Sequence, residues 1–231
     1  MRLIVLTGGI ACGKSTVGKI FTEKYKIPIV DADAIAHEQQ KPGGKSYNRI
    51  IQEFGKEFLN EDGTINRKKL GDLVFQHPEQ RMKLNRITHP LVHQEINRLL
   101  FKHFLNCEKY VFLDIPLFFE VKKSSMIYSD IITVASSPEI QLKRLMERNN
   151  FTKEEAEERI KAQLPLEEKC AKSTIVIQND KSIKDLELQI DRIYQNWQKS
   201  FRKADILFDF RISFALFILA SSYSIYYFLI K

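Results

Sequence analysis

A chain of 231 residues with 44% hydrophobic and 28% charged side chains can bury a substantial core, which excludes a disordered or fibrous protein. The net charge of +7 favours an acidic partner (a nucleotide, a nucleic acid or a membrane surface), although solubility alone accounts equally well for such a charge. Three scattered cysteines, Cys12, Cys107 and Cys170, with no CxxC pair, argue against a disulfide framework or zinc site and for a reducing compartment.

The first element is a short apolar strand over 2–6 that ends in a glycine loop, followed by a helix over Ser15–Tyr25. A strand starting at Arg2 or Leu3 leads to the expectation that no signal peptide or presequence stands ahead of it. A second strand, Ile27–Val30, runs into Asp31 and Asp33. A polar, helical middle follows from about Gly44 to Glu108, with breaks expected at "EDGT", Pro78 and Pro90. "YVFLDI" at 110–115 is apolar almost throughout, the mark of a strand covered on both faces, and "IITVASS" at 131–137 is another. Pro138 to Gln163 reads as a charged helical hairpin whose second helix opens on the capping-box pair Thr152 and Glu155. "STIVIQN" at 173–179 is a fifth strand, and Ile183–Trp197 a closing amphipathic helix. Strands alternating with helices predict an α/β fold with a parallel, doubly wound five-stranded sheet.

Chemistry enters with "LTGGIACGKST", Leu6 to Thr16. Gly8, four residues, then Gly13, Lys14 and Ser15 form the phosphate-binding loop pattern, placed between a strand and a helix as that pattern demands. Glycine lets backbone N–H groups approach phosphate oxygens closely. Lys14 supplies a point charge to the β- and γ-phosphates, Ser15 a hydroxyl ligand for Mg²⁺, and the helix start a positive dipole end. No guanine-reading NKxD is present, so a kinase for a small acceptor fits better than a GTPase. In that reading Asp33 accepts the proton of the attacking hydroxyl. The competing reading makes Asp31 or Asp33 a helix N-cap. Arg144 and Arg148 lie four apart on one helical face, with Arg159 and Lys161 beyond them, and suit phosphate charge. A solvated, ion-paired surface explains the same residues. Cys12, among loop N–H donors at a helix start, is expected to favour thiolate and to be alkylated unless ATP protects it.

"LTGGIACGKST", "VDADAIAHE", "DGTINRKKL", "ITHPLV", "FLDIPLFFE" and "QLKRLMERN", in this order, resemble the dephospho-CoA kinase family over about residues 1–180. The hydrophobic carboxyl-terminal segment makes the chain similar to metazoan members called dephospho-CoA kinase domain-containing proteins. The resemblance implies a P-loop kinase fold and transfer of phosphate from ATP, with Mg²⁺, to the ribose 3′-hydroxyl of dephospho-CoA. It implies that Gly8, Gly9, Ile10, Ala11, Cys12, Gly13, Lys14, Ser15 and Thr16 hold ATP, helped by Arg144 and by Asn179 at the adenine-contacting turn. Asp33, Lys14 and Arg148 would be catalytic, Arg148 as the lid arginine. His89 and Pro90 of "THP", together with Asp114 of "DIPLFFE", would line the acceptor side. The helical region at about 44–108 would bind the acceptor and about 144–165 would be the lid. Against the family pattern, Ala11 and Cys12 stand in the middle of the loop, and Lys181 follows the Asn179 turn where many members have glycine.

Past a kinase domain of 1–203, residues 204–231 contain nineteen uncharged residues, Ile212 to Ile230, between Arg211 and Lys231. A helix of that length covers about 28 Å, close to a bilayer's hydrocarbon core. Lys199, Arg202, Lys203 and Arg211 flank it on the domain side, and Tyr223, Tyr226 and Tyr227 fall near its far end. The expectation is a membrane-spanning tail with the kinase domain facing the cytosol, on the mitochondrial outer membrane or the endoplasmic reticulum. No nucleic-acid partner is expected. Two other readings stay open at the level of sequence. One is a P-loop kinase for nucleosides or nucleoside monophosphates, the other a catalytically idle, membrane-tethered nucleotide or CoA sensor.

Overall fold

The computed structural model describes residues 1–120 and 128–200. Five parallel strands, β1 (Arg2–Gly8), β2 (Ile29–Asp31), β3 (Tyr110–Asp114), β4 (Asp130–Ala135) and β5 (Ile175–Gln178), form one sheet in the order β2-β3-β1-β4-β5. Their apolar runs are continuous because helices cover both faces. In β3 the period of two is nevertheless visible. Tyr110 and Phe112 turn to a cluster with Phe21 and Trp197, while Val111 and Leu113 turn to Val30, Ile96 and Leu100. The first cluster is closed by α1 (Lys14–Tyr25) and α9 (Ile183–Ser200), the second by α5 (Pro78–Leu105). The amphipathic closing helix is thus present, three residues longer than its sequence pattern shows.

The region at 44–108 holds α3 (Lys45–Phe54), a 3₁₀ turn at Lys56–Phe58, α4 (Arg67–Gln76) and α5. Ile50, Phe54, Ile65 and Leu70 give it a small core of its own. The break expected at Pro78 is present: α4 ends at Gln76 and Pro78 opens α5 at its first turn, where a missing N–H costs nothing. The break expected at Pro90 is not. Pro90 lies inside the same 28-residue helix. An internal proline costs roughly 3 kcal/mol, and the flanking residues Thr88, Leu91, Ile96 and Leu100 are buried, which offsets it.

The helix α2 (Ala32–Gln39), directly behind β2, matches the competing cap reading of "DAD", whereas α8 (Leu166–Ala171) has no counterpart in the sequence reading. The charged hairpin is α6 (Pro138–Asn149) and α7 (Lys153–Lys161), and Thr152 and Glu155 form the expected reciprocal capping box. Among the described residues no helix is long and apolar enough to cross a membrane. The expected spanning tail, 204–231, lies outside them.

Candidate active site

Every strand ends its carboxyl edge on the same side, and β1, in the middle of the sheet, delivers the glycine loop there. Gly8 lies against β4: a Cβ on it would come within 2.6 Å of the Val134 carbonyl, so no other residue fits without displacing the strand. The loop closes through Cys12 N–H donating to the Gly9 carbonyl at 3.2 Å. Gly13, at φ +87° in the left-handed region, then starts α1 as its N-cap, and Ala11 shares that region at φ 59°. Lys14, Ser15 and Thr16 form the first turn of α1. Their helix end carries a positive partial charge at the mouth of the loop.

Facing this end is a group of carboxylates. Asp31 and Asp114 are register partners at the ends of β2 and β3. Lys14 Nζ forms an ion pair with Asp114. The cap question raised by "DAD" resolves cleanly. Asp31 is the N-cap of α2, its Oδ1 accepting the Ala34 N–H at 2.9 Å, whereas Asp33 sits in the first turn. Asp33 is not the cap. Burial first and the neighbouring Asp31 charge second push its carboxyl above the usual range, and Lys14 opposes this. Asp114 is also pushed up by burial; its Lys14 partner pulls the other way, and Asp31 and Asp33 add to the rise. Four groups from three strand ends therefore share one electrostatic field.

The remaining expected residues are placed unequally. Asn179 is buried, and its Nδ2 donates to the Cys12 carbonyl at 2.9 Å. A Cβ on Gly13 would fall 2.2 Å from that same nitrogen. Asn179 thus braces the loop backbone through its amide nitrogen. Arg144 Nη1 donates to Ser136 Oγ at 3.1 Å at the end of β4. Arg148, one turn on, is exposed, and its Nε donates to Oδ1 of the neighbouring Asn149 at 2.9 Å. Arg159 stacks on Phe151 within the hairpin, its guanidinium 4.5 Å from the ring centre. His89 and Pro90 stand exposed on α5. Desolvation, and then the charge of His93, pushes the His89 pKa down. Its electrostatic neighbour is His93, not Asp33.

Cys12 corrects the reactive-thiol expectation. Its side chain is fully buried, and desolvation raises its pKa more than the Ser136 and Gly9 hydrogen bonds lower it. It is a packing residue of the loop.

Four polar residues of this edge escaped sequence reasoning. Gln141 and Gln163 hold the two backbone groups of Ile10, and Glu120 and Lys169 form an ion pair beside them. Glu120 closes "FLDIPLFFE" and Gln141 opens "QLKRLMERN", but neither stretch assigns them a role, and "LEEKCAK" at 166–172 reads as a solvated helix surface, so no signal marks Lys169 as buried.

Residues 2–185 match the family model described as dephospho-CoA kinase. A dephospho-CoA kinase of Bacillus cereus is 47% identical over 195 residues, covering 84% of this chain and 96% of the relative. A dephospho-CoA kinase domain-containing protein of Danio rerio is 41% identical over 194 residues, covering 84% of each chain. Among solved structures, dephospho-CoA kinase from Campylobacter jejuni superposes with a TM-score of 0.62 at 31% identity, covering 87% of this chain and all of that one (100%). The phosphate loop, the carboxylate edge and these matches agree: the chain belongs to the dephospho-CoA kinase family.

Proposed function

We propose that the chain transfers the γ-phosphoryl group of ATP to the ribose 3′-hydroxyl of dephospho-CoA, giving coenzyme A and ADP. The observation that carries the residue assignment is that Asp31, and not Asp33, caps α2. Asp33 is then the carboxylate available to the acceptor. In the transfer, a 3′-oxygen–phosphorus bond forms as the bond from the γ-phosphorus to the β-phosphate oxygen breaks. The hydroxyl proton passes to Asp33, and ADP leaves. Lys14 turns from Asp114 to the phosphates, and the N–H groups of the loop and first turn of α1 stabilise charge on the transferring group. Arg148, exposed at the last turn of α6, is the lid cation, with Arg144 fixing the base of that helix. His89, Pro90 and the helices at 44–108 form the acceptor wall.

The donor set fits Mg²⁺. The exposed Ser15 hydroxyl and the carboxylates of this edge are hard oxygen ligands, and among the described residues no group of three or more acids, histidines or cysteines encloses a metal by itself. That suits an ion which keeps waters and takes phosphate oxygens as ligands. Bound with ATP, it supplies neutralisation of phosphate charge.

The pKa shift of Asp33 gives a test. A base works only deprotonated, so with a raised pKa the acid limb of kcat/KM lies above the usual carboxylate range. Asp31→Asn keeps the cap, since asparagine caps as well as aspartate, but removes the charge that raises Asp33. The limb is expected to move to lower pH in this variant, read from kcat/KM against pH. An unmoved limb would take Asp33 out of the base role.

We also infer, from sequence alone, that 204–231 anchors the chain in a membrane with the kinase domain on the cytosolic side. Carbonate extraction of the full chain and of a chain ending at Lys203 tests this. The full chain is expected in the pellet and the shortened one in the supernatant; equal release of both would refute an anchor.

A further inference from the structure

The outer half of the phosphate loop hangs on side chains from elsewhere. The Ile10 N–H donates to Gln163 Oε1 at 3.2 Å, and the Ile10 carbonyl accepts from Gln141 Nε2 at 2.9 Å. Gln163 lies just past α7, at the foot of the hairpin. Its Oε1 also accepts from Lys169 Nζ at 3.3 Å. The Lys169 side chain is 0% exposed, and its ammonium lies 2.6 Å from Glu120 Oε1. That carboxylate oxygen in turn accepts the Leu164 N–H at 3.2 Å.

Glu120 lies in the turn that follows Asp114. The segment from Asp114 to Glu120 is therefore fastened to the loop twice, by Asp114 to Lys14 and through Glu120, Lys169 and Gln163 to Ile10. Between these points the Ile115 N–H donates to the Leu6 carbonyl at 3.1 Å, and Thr7 Oγ1 donates to the Pro116 carbonyl at 2.9 Å. An ammonium withdrawn from water is unfavourable unless well paired, and an apolar side chain of similar length would pack at less cost. What an apolar residue cannot do is bind two acceptors from two separate segments at once.

We propose that Lys169 is a positioning residue for phosphoryl transfer, which sets the phosphate loop at Ile10 through Gln163 and ties it, through Glu120, to the turn on the acceptor side. Occupation of the acceptor side then alters how tightly the loop holds nucleotide, and the reverse must follow by linkage. The proposal rests on the transfer reaction assigned above.

The test uses the full chain and three variants, Lys169→Met, the pair Lys169→Met with Glu120→Leu, and Gln163→Leu. Lys169→Met alone strands the Glu120 charge and can unfold. The paired variant removes both charges, and Gln163→Leu replaces an uncharged, half-buried amide, so these two keep the thermal midpoint. Their kcat is expected to fall by about tenfold or more, because a small displacement of reacting groups has effects of that order. The Kd of a non-hydrolysable ATP analogue, measured by calorimetry, is expected to rise by a smaller factor. Dephospho-CoA is expected to change that Kd in the unaltered chain and not in the variants. Stable variants with the unaltered kcat and analogue Kd, or an unaltered chain whose analogue Kd ignores dephospho-CoA, would overturn the proposal. An unaltered chain that binds the analogue but transfers nothing to dephospho-CoA would instead refute the assigned reaction. The relay would then be judged on analogue affinity in Gln163→Leu, where an unchanged Kd refutes it.

Discussion

Lys14→Met is expected to reduce kcat by a factor on the order of 10³, the upper end of what loss of one preorganised charge or donor costs at a transition state. The side chain stands at the start of α1, beside the loop N–H groups and the positive helix end that face a phosphate. Its effect has a second part, because Lys14 now neutralises Asp114. The two side chains are 19% and 10% exposed, and breaking so covered a pair costs up to about 3–5 kcal/mol. Asp114, already pushed up by burial, is expected to relieve this by taking a proton once Lys14 is gone. The pair Lys14→Met with Asp114→Asn therefore separates the two parts. Its thermal midpoint should return towards that of the unaltered chain, while turnover stays lost. Turnover close to that of the unaltered chain in folded Lys14→Met would be incompatible with the role given to the loop.

Asp33→Asn is expected to lower kcat by roughly 10²–10⁴-fold, the range for removal of a general base, with the ATP affinity little changed. The raised pKa of Asp33 means that its surroundings disfavour the charge. Loss of that charge should thus leave stability unchanged or slightly higher. This combination, lower turnover with intact folding and nucleotide binding, distinguishes a base from a structural or metal-holding acid. If titration showed ATP binding lost and turnover of the bound complex retained, Asp33 would belong to the nucleotide side.

Features that depend on near neighbours in the chain were legible in the sequence. The apolar runs of β1, β3, β4 and β5, the glycine loop between strand and helix, and the Thr152 capping box each follow from local periodicity or local hydrogen bonding. Features set by distant packing were not. A helix start at "DAD" is legible as a cap reading, but which acid caps it is not, and the structure shows that Asp31 takes the cap. Pro90 punctuates the sequence, but burial on both sides of it carries α5 through. Cys12 sits in a loop that favours thiolate by its local donors, and burial reverses the sign. Lys169 lies in an acidic, solvated-looking stretch, and its burial depends on Glu120 and Gln163, 49 and 6 residues away. Asn179 is placed on the nucleotide side by resemblance; its hydrogen bond to the Cys12 carbonyl is a long-range contact that no local pattern shows.

The measurement closest to the central claim is a transfer assay of the purified full chain in detergent with ATP, Mg²⁺ and dephospho-CoA, offered beside nucleosides and nucleoside monophosphates. Products are identified by mass spectrometry, and the position of the new phosphate by susceptibility to a 3′-specific nucleotidase. The account predicts ADP and coenzyme A in equal amounts, phosphate on the ribose 3′-oxygen, and a kcat/KM for dephospho-CoA well above that for any nucleoside or monophosphate. Preferred transfer to a nucleoside monophosphate, or nucleotide binding with no transfer to any acceptor, would contradict it.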